Sequence, residues 1–464
     1  MTYWAVWINV VLIVTSVVQD TRSSAPPGDQ TVLRQAKAAA LQIDSAFQRG
    51  LVLDEIGAAE AKGGDLDSAQ DSAVRAYPHT MGTLTAIGEQ LSKTSDSSRV
   101  HAITAKLPGD SASTVFAIIA KEEARNGDTA QALHTTDQIK APEVRSDVLR
   151  WIAEQQATGG DYSGARKTFN SAMAVDQRRT GTADDIEVMI AEGQVAHGDL
   201  KAARATLSSL TSTRTRSAAM ILAANLLAEK GDTGDARTWI EETLRSLPEG
   251  AEYEILRYLA IPTEIKVGLK ERAMHDATLL SSGMQLKAYS AAAVTFAEAK
   301  DIGSLNGALQ KMAAAAASAG RENQMSELLL TLNVTAALID VGEIAEASRL
   351  IASFPARSDE MSRTPIESEI QLQNVIILAK KGEFGKARSL ALRIRRDSGA
   401  DTQRGTALRS VALLETKEKG SVSAQVWATA LADAEDRAYA LLGIAEAMLG
   451  IETVRLPYGT VQVH

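Results

Sequence analysis

The chain of 464 residues contains no cysteine. Disulfides, thiol nucleophiles, cysteine-bound zinc and a lipid-modified N-terminal cysteine are therefore excluded. Compartment is not fixed by this, since oxidising and reducing environments both tolerate such a chain. Aromatic residues are scarce, at 4% against 45% hydrophobic residues in all, so the apolar content rests on Ala, Leu, Ile and Val. With Glu, Lys and Arg also frequent, that composition favours helices over strands. Cations are in the minority, 49 Lys and Arg against 58 Asp and Glu, for a net charge of -9. Nucleic acid binding depends on clustered positive charge, so no nucleic acid partner is expected, and nothing favours an anionic membrane face. The six histidines, His79, His101, His134, His197, His275 and His464, stand apart and match no metal-ligand spacing. Neither GxSxG nor SxxK occurs, and no pair of acids stands out as a general acid and base. The chain reads as a non-enzyme without metal or cofactor.

The N-terminus carries the one long apolar run. "WAVWINVVLIVTSVV", Trp4 to Val18, has no charge and is followed by the polar "QDTRSSAPPGDQ". As a helix the run spans roughly 22 Å, short of a hydrocarbon core of about 30 Å. Residues 1–25 are read as a secretory signal peptide, with an uncleaved anchor as the alternative, and the protein as secreted or periplasmic. Residues 26–43 are expected to be a linker with the start of a first helix.

From residue 44 to 450 one short pattern keeps returning. It stands as "AKGGDLDSA" at 61–69, "ARNGDTAQA" at 124–132, "ATGGDYSGA" at 157–165 and "VAHGDLKAA" at 195–203. It returns as "AEKGDTGDA" at 228–236, "IDVGEIAEA" at 339–347 and "AKKGEFGKA" at 379–387. Gly127, Gly160, Gly198 and Gly231 are 33, 38 and 33 residues apart, and degenerate copies fill the wider gaps. About eleven units result. A phosphate-cradling loop is excluded, because no GxxxxGK[ST] or GxGxxG arrangement and no preceding strand are present. Each copy instead reads as the turn of a helical hairpin. Gly supplies the left-handed residue that ends one helix, and the acid beside it caps the next. Ala five residues on (Ala69, Ala132, Ala165, Ala203, Ala236, Ala347, Ala387) lets the two helices approach closely. Pro78, Pro142, Pro248 and Pro355 mark where second helices stop.

The unit at 146–177 resembles the tetratricopeptide repeat family. Gly160, Asp161 and Tyr162 match its turn, Ala165, Phe169 and Ala172 its small and aromatic positions, and Pro248 its closing proline. The resemblance implies an all-α fold, a right-handed α-solenoid of about eleven tetratricopeptide-like helical hairpins. It also implies a concave groove lined by the first helix of each unit. Carried onto the best-matching units, that groove holds Asp147, Arg150 and Glu154, then Asp185 and Glu192, then Asn225. Glu154 and Glu192 both stand six residues before their glycines, so they are expected to stack in one acidic row facing a basic or amide-rich segment.

Two further regularities concern structure. Arg49, Arg145 and Arg216 recur fifteen residues before a glycine, with Arg404 and Arg437 at comparable starts. A structural pair with an acid of the adjoining unit, such as Glu143 or Asp436, is preferred for them over a binding row. The stretch 354–369 reads as a polar connection, and 451–464 as an extended C-terminal tail. The expected function is that of an exported, non-catalytic protein- or peptide-binding scaffold acting through its concave surface. The alternatives are an accessory superhelical domain of an envelope-associated enzyme and a structural assembly component. Membrane contact is expected only through an uncleaved N-terminal segment.

Overall fold

The computed structural model describes residues 27–94, 97–176, 183–248, 250, 253–319, 321–353, 365–396 and 403–451. The expected signal or anchor at 1–25, the tail from 452 onward and residues 354–364 of the polar connection lie outside them. Among the described residues all regular structure is helical, and no helix is long and apolar enough to cross a membrane.

Helix α1 (Pro27–Ala40) occupies much of the stretch expected as a linker. Eleven hairpins follow in order. They are α2 (Ala46–Lys62) with α3 (Leu66–Ala76), α4 (Met81–Leu91) with α5 (Ser97–Thr104), α6 (Ser111–Arg125) with α7 (Thr129–Thr136), and α8 (Pro142–Thr158) with α9 (Tyr162–Val175). Next come α10 (Ala183–Ala196) with α11 (Leu200–Ser208), α12 (Thr213–Glu229) with α13 (Thr233–Ser246), and α14 (Glu254–Lys266) with α15 (Lys270–Asp276). The series ends with α16 (Ser282–Glu298) and α17 (Ile302–Ala319), α18 (Arg321–Asp340) and α19 (Ile344–Ala352), α20 (Pro365–Lys380) and α21 (Phe384–Ala391), and α22 (Gln403–Lys419) and α23 (Ser421–Thr429). A last helix, α24 (Ala434–Met448), has no second helix after it among the described residues.

The turns are built as their sequence predicts. Gly160 has φ +87°, and the glycines of the other copies lie close to it, a region that L side chains avoid. Asp161 then accepts a hydrogen bond from the Gly164 N–H at 2.8 Å, and Asp65, Asp128, Asp199 and Asp232 cap their helices in the same way. Glu343 and Glu383 make no such bond. Their extra methylene carries the carboxylate past the free N–H groups, so the acid caps only where it is Asp. All seven alanines are fully buried.

The array is not open. Helix α1 packs along α24 and also touches α2, so the first described helix serves as the second helix of a twelfth hairpin. Arg437 of α24 donates to the Gln42 side chain at 2.9 Å, across 395 residues of sequence, and Arg409 of α22 donates to Glu55 of α2 at 2.5 Å. First helices touch their neighbours all the way round, from α2 through α4, α6 and onward to α24 and back to α2. Second helices scarcely touch one another, as expected of an outer layer with the longer circumference. The first helices therefore form the inner wall of a ring. At Gly193 and Gly443 a Cβ would lie 2.1 Å from a carbonyl oxygen of the preceding first helix, so backbone meets backbone there and no larger residue fits.

Candidate binding surface on the inner wall

The six residues assigned to the groove lie on α8, α10 and α12, three consecutive helices of the inner wall. Their spacings of three, four and seven place them on one face of each helix, and all six are half-buried. The structure divides them by what they touch. Arg150 stacks over the Phe169 ring, 5.0 Å from its centroid, and lies 3.8 Å from Asp185 on the next helix. Asn225 donates to Glu229 at 2.9 Å and accepts from Lys266 at 3.0 Å, and Lys266 also pairs with Glu229. Asp147 and Asp185 are likewise engaged within the wall. Arg150, Asp185 and Asn225 thereby tie neighbouring units together.

Glu154 and Glu192 differ. Neither has a hydrogen-bond or ion-pair partner among the described residues. Burial raises the Glu154 pKa, opposed by Lys121 of α6. Burial pushes the Glu192 carboxyl up to about 7, and the nearby Glu154 charge adds to the shift. Water reaches both side chains, yet protein surrounds them closely enough to penalise charge, as a concave wall does. The Glu154 charge, on α8, acts on the Glu192 carboxyl of α10.

Trp151 was not singled out from the sequence. It sits three residues before Glu154 and is half-buried, with Lys121 and Arg125 of α6 5.8 and 5.7 Å from its ring centroid. Its indole N–H donates to the Lys121 carbonyl at 3.4 Å. The signal available was a single tryptophan on the same helical face as the acids, in a chain with five. Together these groups offer two carboxylates without a direct ion-pair partner among the described residues, beside an aromatic surface, which suits an ammonium, guanidinium or amide group.

The arginine series lines no binding surface. Arg49, Arg216 and Arg437 donate to the carbonyls of Ile43, Leu210 and Leu431 at 2.7, 2.6 and 2.7 Å, holding the chain just before each first helix. Arg404 pairs with Asp436 at 2.9 Å, as expected, whereas Arg145 takes Asp137 at 2.5 Å. Carbonyls serve as often as acids because a connector ending beside a helix start leaves its own carbonyls unpaired. Among the described residues no three His, Asp or Glu side chains are placed to share a metal ion.

No protein-family model matches the chain, and no curated protein matches it. Among solved structures it is similar to one titled as the crystal structure of the APC/C hetero-tetramer Cut9–Hcn1. The alignment covers 91% of this chain and 96% of that one at 12% identity, with a TM-score of 0.22. A likeness that loose carries no argument about function.

Proposed function

We propose that the protein is an exported, non-catalytic scaffold whose ring of helical hairpins holds an extended, basic or amide-rich segment of a partner protein. The segment lies on the inner wall at α8 and α10. The observation that carries this reading is the pair Glu154 and Glu192, two neighbouring half-buried carboxylates with no hydrogen-bond or ion-pair partner among the described residues, Lys121 acting on Glu154 only from a distance. Burying two like charges side by side without a cation disfavours the free protein, and a partner's cation removes that cost on binding. Trp151 extends the site with a flat apolar surface. Export rests on the apolar N-terminal run of the sequence.

The test is capture of partners from an envelope fraction by the wild-type chain and by a Glu154→Lys, Glu192→Lys double variant. Lost capture at unchanged circular dichroism supports the inner-wall site. Unchanged capture at low salt removes these residues from it. Intact mass of the exported protein tests the first step, since retention of Met1 favours the anchor over a cleaved signal.

A further inference from the structure

Several neighbouring second helices on the outside of the ring are tied by a long side chain. Arg204 of α11 reaches Glu242 of α13 at 2.6 Å while lying over Trp239, 4.8 Å from the ring centroid. Arg388 of α21 pairs with Glu415 and lies over Trp427 of α23. Lys37 of α1 meets Asp71 of α3 at 3.0 Å, and Arg349 of α19 meets Asn306 of α17 at 2.6 Å. Each of these bridges is a cation whose apolar stem or planar face is covered and whose head meets an acceptor.

The interval between α5 and α7 is built otherwise. The place of Arg204 and Arg388, two residues before the inward-facing Thr206 and Leu390, is taken in α5 by His101, two residues before the buried Ile103. His101 is exposed, and no described hydrogen bond or ion pair joins it to α7. A cleft of about 630 Å³ opens there instead. That volume falls within the roughly 300–1,000 Å³ usual for small-ligand sites. Phe116 and Ile119 of α6 form its apolar floor, and His101 and His134, from separate hairpins, stand on its facing sides. Among the described residues Glu123 and Asp128 are the only carboxylates lining it, and no lysine or arginine does so. Thr135 and Gln131 hydrogen-bond the Glu123 carboxylate, but its buried Oε2 makes no hydrogen bond among the described residues. The cleft thus keeps the acid and the apolar floor of a bridged interval and lacks the cation.

We propose that this outer cleft, distinct from the inner wall, binds the guanidinium or ammonium head of a small ligand carrying a short apolar stem. The head takes the place that Arg204 and Arg388 fill in their intervals, near Glu123, with the stem on Phe116 and Ile119. A free organic cation and an arginine or lysine side chain share this chemistry.

Calorimetric titration of the full chain with n-butylguanidinium, n-butylammonium and N-acetyl-arginine amide, each against butyrate, tests the assignment while the histidine ring resonances are followed. Saturable binding of a cation, with shifts confined to two of the six histidines and none with butyrate, is expected. Binding by the simple cations alone identifies a free small molecule as the source, and binding by the arginine amide alone identifies a peptide side chain. His101→Arg supplies the missing bridge from within and is expected to weaken binding by about tenfold or more without lowering the melting midpoint. Glu123→Gln is expected to weaken it similarly, and if that variant fails to fold, His101→Arg alone decides. The Glu154→Lys, Glu192→Lys variant is expected to bind the cations as wild type does, which separates this site from the inner wall. Equal binding of butyrate, undiminished affinity in His101→Arg, loss in the inner-wall variant, or no cation binding up to about 10 mM overturns the proposal.

Discussion

From α14 round through α1 to α2, buried apolar side chains touch without a break, whereas between α2 and α14 they also form four separate groups. One position inside the hairpin varies between and within these regions. Four residues before the turn glycine, the first helix meets the side chain eight residues after it. In the segmented half this pair tends to be polar, Glu123 beside Thr135 and Gln194 bonded to Thr206 at 2.9 Å. In the continuous half the same places hold Leu338 and Leu350, or Leu378 and Leu390, though the seventh hairpin has Glu264 and Asp276 there. A polar pair interrupts the apolar surface, while an apolar pair passes it on to the next unit. Both proposed sites lie in the segmented half. The closure of the ring lies in the continuous one.

The largest effect is expected where the closing half relies on buried charge. Arg409 joins Glu446, which is 2% exposed, to Glu55 across three first helices. Arg409→Met leaves both carboxylates uncompensated and is expected to cost about 3–5 kcal/mol, read as a shift in the denaturant midpoint. A loss under about 1 kcal/mol would mean that closure does not depend on this cluster. Next in size are Ala165→Leu and Ala203→Leu in the segmented half. Each overfills a fully buried contact between the helices of a hairpin and is expected to destabilise by about 1–3 kcal/mol. Unchanged thermal midpoints in both would show that small residues are not required there.

A pH experiment separates the inner wall from the closing cluster. Glu192 has its pKa raised in the folded state, so its contribution to stability is fully present below the ordinary carboxylate pKa and is lost as pH rises through about 7. Glu192→Gln should therefore melt higher than wild type at about pH 8 and alike at about pH 4. Asp433 behaves in the opposite sense. Its hydrogen bond with Arg396 holds it down to about 2, so its stabilisation is present above the ordinary carboxylate pKa and is lost as pH falls toward that value. Asp433→Asn should thus differ from wild type at neutral pH and converge with it in strong acid. The smallest effect is expected for Arg166→Ala, whose bond to Glu187 at 2.8 Å lies largely in solvent. A change of under about 1 kcal/mol, shrinking further in salt, is expected. A larger loss would mean that surface pairs, rather than buried ones, hold the segmented half together.

Much of the hairpin was legible in the sequence because it is local. The residues that end one helix, cap the next and let both approach lie within a few positions of one another, so Gly160, Asp161 and Ala165 announce a turn without reference to anything distant. The same locality placed Glu154 and Glu192 on one face of neighbouring helices. It could not separate them from Arg150 or Asn225, whose partners Phe169 and Lys266 belong to a second helix and to the next unit. Trp151 and His101 were hidden for the same reason, since each gains meaning from side chains one hairpin away.

Sequence by itself determined the all-helical hairpin, its turn, its cap and its approximate number of copies, because the free energies that fix them act between residues close along the chain. Tertiary structure alone decided that the array closes. Helix α1 finds its partner α24 only when eleven hairpins have set the curvature that brings the two ends together. That curvature is a sum of small rotations between units, and no single residue encodes it. The cleft at His101 follows from the same scale of organisation, as an interval between second helices that one missing arginine leaves open.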